Sequence, residues 1–80
     1  MTAKEIKNRI AECSTLFGFE YRGVPCNIDP CYHGNDRFSF LLFCNGKEKT
    51  VDSVDDAMQS PFFCGKSLDS IANEIIVTED

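Results

Sequence analysis

No two of the five cysteines, at positions 13, 26, 31, 44 and 64, are spaced as Cys-x-x-Cys. The chain therefore lacks the compact ligand pairs by which structural zinc sites announce themselves. Histidine is nearly absent too: His33 stands alone, so any metal or catalytic centre has at most one imidazole. Long apolar runs are missing, since the longest, Phe38–Cys44, falls far short of the ~20 residues a membrane-crossing helix needs. Met1 to Glu5 holds no basic segment leading into an apolar one, the form of a secretory leader. These absences predict a cytoplasmic chain with no membrane partner, whose thiols stay reduced. An odd number of cysteines cannot all pair within one molecule, so free thiols in or beside the core are the plain expectation.

Cations are scarce in one stretch only. Met1–Val51 carries seven Lys and Arg against six carboxylates, whereas from Asp52 onward seven carboxylates face Lys66 alone, a net −6. An acidic surface of that kind repels phosphate backbones, which argues against direct nucleic-acid binding. It would attract a basic protein, or simply keep the chain soluble.

The 80 residues allow one domain, spanning 1–80, that buries about 60% of the unfolded surface. Thr2 and Glu5 have the spacing of a capping box, and Ile6, Ile10, Cys13 and Phe17 follow at intervals of four, three and four. This predicts an amphipathic helix ending near Gly18 with Cys13 on its buried side. The period then changes to two, with Phe19 and Tyr21 before an Arg22-Gly23 turn and Val24, Cys26 and Ile28 after it. Pro25 lacks an N–H, which predicts an edge strand or a bulge there. Asp29–Asp36 reads as a loop. Arg37–Cys44, Asn45-Gly46 and Lys47–Val51 read as a second hairpin with a type I′ turn.

Ser53 caps a short helix through Ala57 and Met58 that Pro61 terminates. Phe62 and Phe63 then anchor the connection, and Ser67 caps a last helix with Leu68, Ile71, Ala72 and Ile75 on one stripe, leaving Thr78–Asp80 to fray. The expected fold is α+β: an N-terminal helix, an antiparallel sheet of about four short strands in two hairpins, and two short C-terminal helices packed on the sheet.

Several residue groups bear on chemistry. Cys26, Cys31, His33 and Cys44 have the right donor types for zinc, although one ligand pair is stretched and the other missing. Cys31 or Cys64 with His33, oriented by Asp29 or Asp36, has the composition of a nucleophile and base, yet so small a domain has little room for a substrate cleft. Gly65-Lys66-Ser67 has the ending of a phosphate loop, but Ser60 stands where that motif needs its first glycine. Asp52, Asp55 and Asp56 lack calcium-loop spacing and suit a helix N-terminus. No cofactor is therefore expected, and no catalysis.

What remains is a small acidic protein-interaction module. Its partner would be an unidentified protein or a second copy, held through an apolar patch of Tyr32, Phe43 and Phe62 or through acidic Asp55 and Asp56. Two alternatives stand beside this: an acidic inhibitor of a nucleic-acid-binding protein, of the accessory kind encoded by bacterial mobile elements, and a zinc-stabilised or thiol-active small protein.

Overall fold

A computed structural model describes the whole chain, Met1–Asp80. The first helix, α1 (Ala3–Ala11), starts at the expected capping box: Thr2 Oγ1 accepts from Glu5 N–H at 3.2 Å and Glu5 Oε1 accepts from Thr2 N–H at 2.8 Å. Ile6 and Ile10 are buried as the stripe requires. The helix stops well before Gly18, because Cys13 adopts a left-handed backbone (φ 53°), as the residue just past a helix end often does. Phe17 belongs instead to strand β1 (Phe17–Tyr21). Its position satisfied both a helical and an alternating period, and the alternation with Phe19 and Tyr21 prevails because all three then face one core. Arg9 secures the connection, donating to Thr15 Oγ1 at 2.7 Å and to the Leu16 carbonyl at 3.4 Å.

β1 opens a meander with β2 (Val24–Gly34), β3 (Arg37–Cys44) and β4 (Lys47–Val51). The three connections, Arg22-Gly23, Asn35-Asp36 and Asn45-Gly46, each hold two residues with φ between 52° and 83°, the type I′ geometry that matches strand twist. The predicted loop at Asp29–Asp36 is thus mostly strand: β2 runs eleven residues to Gly34, with a bulge at His33 where the register shifts. The acidic and proline-containing composition of that stretch hid the pairing of Asp29 with Leu41 and of Cys31 with Ser39.

Pro25 does not mark an edge, since β2 is the central strand in the order β4-β3-β2-β1-β5. Tyr21 and Val24 flank a two-residue turn and bond each other, so Val24, Cys26, Ile28 and Pro30 turn their backbone groups toward β1, and Pro25 and Asn27 toward β3. β1 begins opposite Ile28 and β3 ends opposite Cys26. Pro25 therefore lies one residue past the end of β3 and Pro30 two residues past the start of β1, where no ladder bond is lost.

The sheet has five strands rather than about four. After α2 (Val54–Gln59) and α3 (Leu68–Ile71), each with its expected serine cap, a 3₁₀ turn at Ala72–Glu74 leads into β5 (Ile75–Glu79). Ile75 and Val77 lie opposite Tyr21 and Phe19, so the segment expected to finish a helix and fray instead covers the edge of β1. β-branched Ile75, Ile76, Val77 and Thr78 suit that role.

All helices lie on one face of the sheet and enclose a cluster of 17 buried residues that includes Phe19, Phe40, Leu42, Met58 and Phe63. The opposite face has no helix. No helix is long and apolar enough to cross a membrane.

Candidate functional site

The five cysteines separate by fold position. Cys26 and Cys44 are Cα partners on the core side of neighbouring strands, both buried, with their sulfurs 3.4 Å apart. Cys26 bonds its backbone to Phe19, and Cys44, beside a two-residue turn, bonds to Lys47. The two therefore form a non-hydrogen-bonded antiparallel pair, the closer of the two kinds, with Cα atoms about 4.5 Å apart. Burial pushes the Cys26 thiol up to about 12, and its contact with Cys44 acts in the same direction.

Cys64 joins this pair from outside. It is exposed, at the first central position of a tight turn closed by reciprocal Phe63 and Lys66 backbone bonds of 3.0 Å. Its φ of 56° is left-handed, a conformation that asparagine or glycine adopts at lower cost. With Cys44, Phe62 and Lys47 it lines a cavity of about 200 Å³. Partial desolvation raises its pKa, and the charge and hydrogen-bonding capacity of Cys44 raise it further, against the opposing effect of Arg22.

Cys31 and His33 lie elsewhere. Cys31 is five residues along β2 from Cys26, about 17 Å, and on the helix-free face. Cys26, Cys31, His33 and Cys44 thus do not converge, and no group of three or more His, Cys, Asp or Glu side chains is arranged to hold a metal ion. The stretched spacing in the sequence reflects two sites at opposite ends of one strand.

His33 Nε2 lies 2.6 Å from Ser39 Oγ, across the Asn35-Asp36 turn, rather than against any thiol. Ser39 is 6% exposed, and no local pattern in the sequence marks it, because its place opposite Cys31 exists only once β2 and β3 pair. With Asp36, Arg37 and Asp52 the pair lines an open polar cleft of about 660 Å³. A hydroxyl and an imidazole in contact meet the first requirement of nucleophilic catalysis, but no carboxylate orients His33 by a hydrogen bond.

The aromatic patch also comes apart. Tyr32, 62% exposed, stacks on Phe38 with ring centres 5.1 Å apart, at the sheet end beyond the helices. Phe43 sits on the helix-free face, and Phe62 packs edge-on against Phe63 beside the Cys64 cavity. Strand alternation places Tyr32 and Phe43 on opposite faces, which sequence proximity does not reveal.

The acidic C-terminal third is free only in part, since three of its seven carboxylates are paired with cations. Asp55 pairs with Lys7 at 2.7 Å, Asp80 with Arg9 at 2.6 Å, and Glu74 approaches Arg22 at 3.9 Å. All three pairs join an N-terminal cation to a C-terminal carboxylate. Asp56, in the first turn of α2, donates its backbone N–H to Ser53 Oγ at 3.0 Å.

The helix-free face carries half-buried Leu41 and Phe43 on β3, one strand in from the β4 edge, next to Asp29 and Asn27 on β2 and Thr50 and Glu48 on β4. Its two edges differ. β4 presents Lys47, Glu48 and Lys49, the kind of charged edge that deters strand addition, whereas β5 presents Ile76, 68% exposed.

No family model, no curated protein and no solved structure matches this chain.

Proposed function

We propose that the protein is a non-enzymatic binding module that receives a basic, partly apolar polypeptide on its helix-free sheet face and along the β5 edge. The observation that carries this reading is the contrast between the two edges: β4 is charged, and β5 is uncovered with Ile76 68% exposed. A partner strand added to β5 would gain backbone hydrogen bonds, while a second segment of the partner, crossing the helix-free face, would reach Leu41 and Phe43 on β3, three strands or about 14 Å from β5. Glu20, Asp29 and Glu48 lie on that face, and Arg37 is its counterweight at one end, so the partner's flanking residues would be basic.

The test is capture of the partner from native cells by the tagged full chain, followed by measured binding. Ile76→Arg and Phe43→Arg should each weaken the complex at least about tenfold, the loss expected for a ~1.4 kcal/mol anchor. Asp55→Lys with Asp56→Lys, on the helix side, should change it little. The opposite pattern would favour an acidic inhibitor acting through α2. Recovery of nothing at low salt, together with a monomer in light scattering, would overturn both.

A further inference from the structure

We propose that Cys26, Cys44 and Cys64 form a thiol–disulfide exchange site, in which exposed Cys64 takes a disulfide from a low-molecular-weight donor and the buried Cys26–Cys44 pair ends as the disulfide. The inference does not depend on the binding reading. The Cys26 and Cys44 sulfurs, 3.4 Å apart across a non-hydrogen-bonded pair, need to close by only about 1.4 Å to reach bonding distance. A Cα separation of about 4.5 Å lies within the range a disulfide spans. Cys26 is 4% exposed, as is Cys44, so a dissolved oxidant has no direct approach to their sulfurs. Cys64 is exposed and shares a cavity with Cys44, which gives that route. The left-handed backbone at Cys64 also gains a reason, since it holds a thiol at this turn where asparagine would be less strained.

The steps balance with oxidised glutathione as the oxidant. Cys64 thiolate attacks one sulfur of the donor disulfide, releasing one glutathione that takes up the proton. Cys44 attacks the Cys64 sulfur of the mixed disulfide and expels the second glutathione. Cys26 then attacks Cys44, forming Cys26–Cys44 and returning Cys64 as a thiol. Two protein thiols have lost two electrons and two protons, and one donor disulfide has become two thiols. The raised pKa values of Cys64 and Cys26 make exchange slow near neutral pH and faster as pH rises.

The experiment incubates the reduced full chain with oxidised glutathione from neutral to mildly alkaline pH, traps remaining thiols by alkylation, and maps the products by mass spectrometry. The expected product is lighter by two hydrogens, carries no glutathione, links Cys26 to Cys44, and leaves Cys13, Cys31 and Cys64 alkylated. Cys64→Asn keeps the turn, because Asn-Gly is a favoured type I′ pair, and should slow formation of the link at least about tenfold. Cys44→Ser should accumulate glutathione on Cys64. A persistent mixed disulfide in the unaltered chain, a link between other cysteines, or equal rates with Cys64→Asn would each overturn the proposal.

Discussion

Tyr21 is 1% exposed and its hydroxyl has no hydrogen-bond partner. An orphaned buried hydroxyl costs about 1–3 kcal/mol, so Tyr21→Phe should raise stability by about 1 kcal/mol, measured by urea unfolding; a loss would mean that water reaches the group. Cys26 makes a second residue-scale prediction. Its ordinary thiol pKa of 9.0 is raised to about 12 in the fold, so above pH 9 the unfolded chain releases a proton that the folded chain keeps. Stability from this group is complete below that ordinary value and is lost as pH rises toward the folded one. Thermal midpoints should fall across that alkaline window and fall less in Cys26→Ala; parallel curves for the two proteins would refute the assignment.

At the scale of elements, four tight turns share one backbone solution, and only two contain the Asn-Gly or Arg-Gly sequence that reads as a turn in isolation. Asn35-Asp36 holds two non-glycine residues at φ 53° and 58°. Asp36→Gly relieves a left-handed residue at the cost of added freedom in the unfolded chain, for a net gain of about 0.5 kcal/mol. The melting temperature should rise by about 2–4 °C, and a fall would show that Asp36 contributes a contact in the cleft beside His33. The same turn explains why Asp29–Asp36 reads as a loop: β2 is legible only once β3 is placed beside it. The first helix and the Arg37–Val51 hairpin need no such help, because cap, period and turn signal coincide in each.

For the molecule as a whole, β5 decides whether the sheet is complete. It covers β1, and the core residues Phe19 and Tyr21 have Val77 and Ile75 as their cross-strand neighbours. Removing Ile75–Asp80 should cost at least about 2 kcal/mol and lower the melting temperature by about 10 °C or more. A truncated chain melting within about 2 °C of the parent would show that this segment frays, as its sequence suggested. Charge also reorganises at this scale. Three of the seven carboxylates in the last third face cations brought from α1 and the first hairpin turn, so the linear segregation of charge overstates the acidic surface. Exposed pairs of this kind contribute little to stability, typically under about 1 kcal/mol each, but they do set which carboxylates stay free for a partner.

The amino-acid sequence alone determined the α+β class, the caps of all three α-helices, the Asn45-Gly46 hairpin and most of the core, since each rests on signals within a few residues. Tertiary structure decided the rest. Cys13 and Phe17 fit a helical stripe until the sheet claimed Phe17, and Pro25 reads as an edge until the lengths of β1 and β3 are known. Zinc ligands proposed together proved to lie on opposite faces of β2. Most of all, nothing local links Cys64 to Cys26 and Cys44. Their meeting depends on strand register and on a turn that follows α2, contacts between residues far apart in the chain that no periodicity records.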